Sequence, residues 1–276
     1  MRVALFQGKP PVAEVCDFEV SVSHLKRLAI DAKRSDASIL VTPELFMGGY
    51  RTEDIDAIDP NNRLRKIANI ARDVSINMII GFPEKLENDQ VANSAAAIDR
   101  NGRVLGIYRK THLFGKDENA AFVKGESLSN LFHFDGICIG ILICYDVEFP
   151  EAVRTVKMNG ADVIIVPTAN FHPYDFINDY IIQVRAFENG VPIVYCNWSE
   201  HKNNVVPYVQ FNGKSIVVDS NGTSLLRLRP SDEGLWIMNV PTCSTHHSRT
   251  TTTPPESDYI RDRRPELYKT ILHSKL

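Results

Sequence analysis

The chain reads as an α/β protein: two mixed β-sheets pack face to face, with helices on their outer sides. Three observations predict this. Short β-branched runs alternate with longer amphipathic stretches, as strand–helix units require. Asn101-Gly102 and Asn221-Gly222 each sit between apolar runs, a turn chemistry that makes hairpins and so adds antiparallel pairs to the parallel ones. The candidate strands are also too many for one small sheet.

In chain order, the first strand is expected at 3–7. A helix over 17–34 follows, in which Val20, Val22, Leu25, Leu28, Ala29 and Ala32 approximate one apolar face. The next strand falls at 37–42, a helix at 61–74, and strands at 77–82 and 94–98, the last entering the Asn101-Gly102 turn. The second half repeats the alternation, with strands at 137–144, 163–168 and 193–196 and helices at 148–159 and 174–189 between them. Strands at 214–218 and 235–240 close the pattern. Residues 245–276 differ: 246–255 read HHSRTTTTPP, polar and rich in helix breakers, which predicts an extended C-terminal tail needing a surface to lie on.

With 276 residues, 43% hydrophobic, one large domain spanning 1–276 is expected. A formal charge of −3 leaves no electrostatic footprint for nucleic acid. No apolar run is long enough to span a membrane, and the N-terminal stretch lacks the pattern of a secretion signal. Five cysteines are an odd number, none in a CxxC pair, which favours a reduced, cytoplasmic protein without a structural zinc site. No metal and no cofactor is expected.

Three segments carry reactive chemistry. Residues 139–151 read IGILICYDVEFPE, an apolar run that delivers Cys144 to its C-terminal end. Residues 41–46 (VTPELF) place Glu44 after a similar run, and 108–114 (YRKTHLF) place Lys110. A free thiol, with a reference pKa of about 8.5, is scarcely ionised at neutral pH and needs a base. Glu44 supplies one. Attack on an amide carbonyl builds charge on oxygen, and losing one donor to that charge typically costs about 2.7–4 kcal/mol. Lys110 suits this position, with the Tyr145 backbone N–H as a second donor. Each residue taken alone has a plainer reading: a core cysteine, a solvated turn glutamate, a surface lysine beside Arg109.

Together, PELF at 43–46, RKTHLF at 109–114 and CYDVEFPE at 144–151 resemble the nitrilase superfamily of carbon–nitrogen hydrolases. The resemblance runs along the whole chain, through ADVIIVPTAN at 161–170, RAFEN at 185–189, GKSIVVDSNG at 213–222 and RRPELY at 263–268. It implies a four-layer αββα sandwich that forms a homodimer or higher homo-oligomer, the tail helping to bind the partner. It implies Glu44 as general base, Lys110 as oxyanion stabiliser and Cys144 as nucleophile, acting on a small-molecule amide through a thioester. A second glutamate is implied between Lys110 and Cys144. Glu118, eight positions after Lys110, is the candidate, with Glu126 as the alternative. Asn170 and Phe171 should face the same mouth as Cys144, and Tyr50, Tyr145 and Trp198 are candidate pocket walls.

Nitrile-cleaving relatives usually carry Cys-Trp-Glu at the nucleophile. Cys144-Tyr145-Asp146 resembles the amidase and carbamoylase branches instead, and the short Lys110–Glu118 spacing resembles small aliphatic-amidase-like members, so the resemblance implies an amidase first, an N-carbamoyl amidohydrolase second and a nitrilase third. Glu148, close after the nucleophile, should disfavour acidic substrates if it faces inward. A catalytically silent binding or assembly subunit on the same fold is the non-enzyme alternative, and it would be expected to have lost one of the three residues.

Overall fold

The computed structural model describes residues 1–9, 17–202, 206, 209–242 and 258–270. The predicted tail, 245–276, therefore lies largely outside the described residues; of it, 258–270 are described.

The first sheet has six strands: β1 (Arg2–Gln7), β2 (Ile39–Val41), β3 (Asn77–Lys85), β4 (Val91–Ile98), β5 (Val104–Arg109) and, returning from the far end of the chain, β14 (Gly234–Asn239). The second holds β6 (Leu131–Phe134), β7 (Ile137–Ile141), β8 (Val163–Pro167), β9 (Ile193–Cys196), β12 (Ile216–Val218) and β13 (Ser224–Arg227). A short pair, β10 (His201–Lys202) with β11 (Gln210–Phe211), stands apart. The spatial orders are β14-β1-β2-β3-β4-β5 and β6-β7-β8-β9-β12-β13. Both sheets share one plan. Three central strands run parallel, β1-β2-β3 and β7-β8-β9, and every outer pairing is antiparallel.

Parallel neighbours need crossovers, and the four longest helices provide them. α1 (Phe18–Arg34) joins β1 to β2 and α2 (Arg63–Val74) joins β2 to β3. α4 (Pro150–Met158) and α5 (Ile182–Asn189) serve β7, β8 and β9 in the same way. α3 (Gly115–Ala121) is a short turn of helix in a loop. Asp17 caps α1 by accepting the Glu19 N–H at 2.8 Å. The buried face of α1 is Phe18, Ser21, Val22, Leu25, Leu28, Ala29 and Ala32; Val20 points to solvent, because it falls outside the three- and four-residue steps that link those positions.

Strand alternation divides the core. In β4, Ala95 and Ala97 face the second sheet, whereas Ala96 and Ile98 face α1 and α2; in β5, Tyr108 faces inward and Ile107 outward. One apolar cluster fills the space between the sheets and continues to α4 and α5, and another seals the first sheet against α1 and α2. The result is four layers, αββα.

The expected hairpins at Asn101-Gly102 and Asn221-Gly222 join β4 to β5 and β12 to β13. Strands β5 and β13 were implied only as the second arms of these hairpins, and β6 was not expected; all three are edge strands with half-exposed residues, so their apolar pattern is weak. The expected strand at 137–144 ends earlier, at Ile141, and the expected helix at 174–189 begins with a π-helical turn, Ile177–Ile181.

Candidate active site

The carboxyl ends of the parallel strands meet at one place between the sheets, where open α/β sheets bind ligands. Glu44 follows β2, Cys144 follows β7, Thr168 follows β8 and Asn197 follows β9. Lys110 comes one residue after β5, and its backbone N–H continues the ladder to the Asn93 carbonyl at 2.8 Å.

Cys144 opens a one-turn 3-10 helix, Cys144–Glu148, with φ of +46°. Leu45, next to Glu44, has φ of +53°. Both are left-handed conformations that cost a non-glycine residue about 1–2 kcal/mol, so the chain turns sharply beside each reactive group. The thiol is therefore not at a strand end but on an elbow three residues beyond it.

Lys110 and Glu44 are completely buried and Glu118 nearly so. The ammonium donates to Glu44 Oε1 at 2.7 Å and to both oxygens of Glu118, at 2.9 and 2.8 Å. Asn93 Nδ2 also donates to Glu44 Oε1, at 2.7 Å, while Glu44 Oε2, although buried, has no hydrogen-bond partner among the described residues. Glu118 is held besides by the Tyr50 hydroxyl at 2.8 Å and the Phe114 N–H at 2.7 Å. Glu126 is exposed and takes no part.

Burial pushes the Glu44 carboxyl above its usual range; Lys110 pulls it down and Glu118 pushes it up again. Burial works against the Lys110 ammonium, but Glu118 and Glu44 hold its pKa well above the ordinary value. Cys144 is half-buried, and burial with the Glu44 charge beside it pushes the thiol well up, against Lys110. The Thr168 hydroxyl, 3.0 Å from the Tyr195 hydroxyl, also reaches this thiol. The arrangement combines a protonated thiol, a carboxylate with one unengaged oxygen, and a fixed ammonium. Such a set can take a proton from sulfur and stabilise charge on a carbonyl oxygen.

The remaining residues separate into rim and support. Phe114, Tyr145, Phe171 and Tyr174 form an edge-to-face aromatic cluster at the mouth, with Phe114 5.3–5.7 Å from each of the other three rings. Trp198 does not line the opening: it is fully buried, stacks on Phe46 at 5.9 Å and donates its indole N–H to the Glu44 carbonyl at 3.1 Å. Tyr50 is likewise buried, its hydroxyl spent on Glu118. Asn170 is held within an asparagine network, its N–H on Asn197 Oδ1 at 3.0 Å and its side chain on Asn178 and the Tyr174 carbonyl. These three side chains support the site rather than wall it, because their polar atoms already have protein partners. Asn93 and Thr168 escaped the sequence reading. Their signal was a polar residue within an apolar strand (Asn93) or directly after one (Thr168), a weak cue without the partner strand in view. Among the described residues no three His, Cys, Asp or Glu side chains are grouped as metal ligands would be.

A family model described as carbon-nitrogen hydrolase matches residues 2–246. A Pseudomonas protegens protein described as a hydrolase in the pqqF 5′ region is 37% identical over 97% of this chain and 90% of its own length. N-carbamoylputrescine amidase of Solanum tuberosum is 28% identical over 93% of this chain and 91% of its own. The solved structure of a cysteine-to-alanine mutant of the amidase from Nesterenkonia sp. AN1, in complex with butyramide, superposes with a TM-score of 0.84 at 30% identity, covering 98% of this chain and 96% of that one.

Proposed function

Because the chain belongs to the carbon–nitrogen hydrolase family of the nitrilase superfamily, we propose that it hydrolyses a small linear amide to a carboxylate and ammonia through an acyl-enzyme on Cys144. The observation that carries this reading is the unengaged Glu44 Oε2, buried beside a protonated thiol and a lysine held by two carboxylates.

In the first half-reaction Cys144 Sγ attacks the carbonyl carbon and Glu44 Oε2 takes the thiol proton. Lys110 turns one N–H from Glu118 to the new oxyanion, with the Tyr145 N–H as second donor. Collapse breaks the C–N bond, and Glu44 passes its proton to the leaving nitrogen. In the second half, water attacks the thioester, Glu44 takes its proton, and the carboxylate leaves as Cys144 recovers a hydrogen. Glu118 keeps Lys110 charged and in place throughout.

The amide reading is supported by Cys144-Tyr145-Asp146 at the nucleophile and by the butyramide complex of the Nesterenkonia amidase. Cleavage of an N-carbamoyl compound is the second reading, favoured by the potato relative. Glu148 bears on substrate charge. It shares the one-turn helix with Cys144, burial pushes its carboxyl up to about 7 against Lys110 and Arg185, and Arg185 fixes its carbonyl at 2.6 Å. A substrate carboxylate would meet this charge, so neutral or amine-bearing amides should be preferred.

The working unit is a homodimer or multiple of dimers in the cytoplasm. Phe176, Tyr180 and Val184, four residues apart and exposed on the helix leading into and through α5, support a second copy docking there, and Tyr259 of the tail packs on Phe187 beside them at 5.5 Å. The odd number of cysteines, none in a CxxC pair, supports a reducing compartment. No helix among the described residues is long and apolar enough to cross a membrane.

The test is an ammonia-release screen over aliphatic amides, amino-acid amides, ω-amides of dicarboxylates, N-carbamoyl compounds and nitriles, with mass spectrometry of the protein during turnover. An acyl adduct on Cys144, absent from Cys144→Ala, is expected. Turnover of N-carbamoyl compounds alone would move the assignment to that branch, and neither adduct nor ammonia would leave a binding subunit.

A further inference from the structure

One fully buried carboxylate near the site has no part in this chemistry. Asp146 lies two residues after the nucleophile, and its side chain gathers donors from both sheets. Oδ1 accepts from the Thr111 N–H at 3.2 Å, the Thr111 hydroxyl at 2.8 Å, the His112 N–H at 2.9 Å and His112 Nδ1 at 2.8 Å. Oδ2 accepts from the Tyr108 hydroxyl at 2.8 Å and the Ile143 N–H at 3.0 Å. The His112 ring lies flat on Phe149, centroids 4.0 Å apart, which fixes Nδ1 toward the carboxylate.

The placement of these donors is informative. Tyr108, Thr111 and His112 bracket Lys110 on the first sheet, and Ile143 precedes Cys144 on the second. The two segments have no strand pairing with each other, since β5 and β7 belong to different sheets. A carboxylate with six donors is short of acceptor capacity rather than of partners, so it holds each of them at a fixed distance.

We propose that Asp146 is a positioning residue that sets the separation between the Lys110 ammonium and the Cys144 thiol, and so acts on the oxyanion-forming step without touching substrate. The proposal rests on the roles given above to Lys110 and Cys144, but not on the identity of the amide. Asp146→Asn keeps the shape yet turns an amide N–H₂ toward N–H donors on one side or the other, which must push the two segments apart. A misplacement of about 1 Å at a reacting centre costs on the order of 100-fold in rate.

Two reactions of the same thiol separate positioning from general damage. Acylation of Cys144 by p-nitrophenyl acetate passes through an oxyanion whatever amide the enzyme prefers. Carboxymethylation of Cys144 by iodoacetamide displaces iodide at a saturated carbon and forms none. In Asp146→Asn, acylation should slow about 10- to 100-fold and carboxymethylation, read on the Cys144 peptide by mass spectrometry, less than about 3-fold. Thr111→Val, which removes a single donor and spares the rest, should shift the ratio in the same direction by about 3- to 10-fold, and it remains informative if Asp146→Asn does not fold. Equal slowing of both reactions, or a ratio unchanged in both variants, overturns the proposal. The amide reading fails separately, if the wild-type protein acylates from the ester but releases no ammonia from any amide.

Discussion

Arg109 and Lys110 are neighbours in sequence, and each pairs with a buried glutamate, yet the two pairs are opposites. Arg109 points to the helix-covered side of the first sheet and grips Glu84 with two bonds, at 2.6 and 2.7 Å, while Ser94 fills the remaining acceptor site at 2.8 Å. Lys110 points between the sheets to Glu44 and Glu118, and Asn93 joins it there. Strand alternation makes the division twice, Asn93 and Lys110 to one face, Ser94 and Arg109 to the other. Both glutamates are buried. What separates them is the remainder: Glu84 has both oxygens engaged, whereas among the described residues Glu44 Oε2 has no hydrogen-bond partner. Burial of charge alone does not mark a reactive site; unspent hydrogen-bonding capacity beside a nucleophile does.

The sharpest way to break this contrast is Glu44→Gln. An amide cannot accept the thiol proton, so acylation of Cys144 should fall by about 10³-fold or more with the fold intact. Rapid-quench mass spectrometry of the adduct would measure it, and near wild-type acylation would transfer the base to Glu118. Next comes Glu118→Gln, with kcat expected to fall about 100-fold because Lys110 loses its clamp. It also moves the pH profile. Glu44 must be ionised to act, so activity is lost as pH falls through its raised pKa. Glu118 is one cause of that elevation, so its removal should shift the acid limb of kcat/KM to lower pH. A limb that stays in place would show that Glu44 does not govern it.

The structural pair should respond in the other currency. Arg109→Met leaves Glu84 buried with Ser94 alone and should lower unfolding stability by about 1–3 kcal/mol in urea titration, with kcat and the acid limb unchanged. A loss of kcat at full folding would erase the distinction between the two faces. The smallest effect is expected at Glu148. Its carboxyl, with a folded pKa of about 7 against an ordinary 4.5, favours folding when protonated. That contribution is complete below about 4.5 and is lost as pH rises to about 7. Glu148→Gln should therefore flatten stability across this window, on the order of 1 kcal/mol after screening at the half-open mouth, and narrow any preference against ω-amides of dicarboxylates. An unchanged stability slope would place the carboxyl in solvent.

Much of this was legible beforehand. The apolar runs ending at Glu44 and Cys144 are central parallel strands, buried on both faces, and such strands announce themselves by composition. Strand β6 was not, and β5 was legible only through its Asn-Gly turn, because half-exposed edge positions carry little pattern. Glu118 was legible only through resemblance and spacing; its choice over Glu126 follows from burial, since Glu118, inside α3, packs on Lys110 whereas Glu126, beyond that helix, is exposed. Trp198 and Tyr50 look like pocket walls in one dimension. In three, their polar atoms reach Glu44 and Glu118 from behind.

The sequence by itself determined the elements and the reagents. Period-two and helical patterns, Asn-Gly turns and three short motifs suffice for the layers and for naming the thiol, the carboxylate and the ammonium, because these depend on residues close along the chain. Tertiary structure alone decided the geometry among them: which oxygen of Glu44 stays open, which neighbour of Lys110 faces away, and how a carboxylate after Cys144 ties two unpaired sheets together. Those relations join residues 25 to 66 positions apart, across strands whose pairing and facing only the packed core specifies.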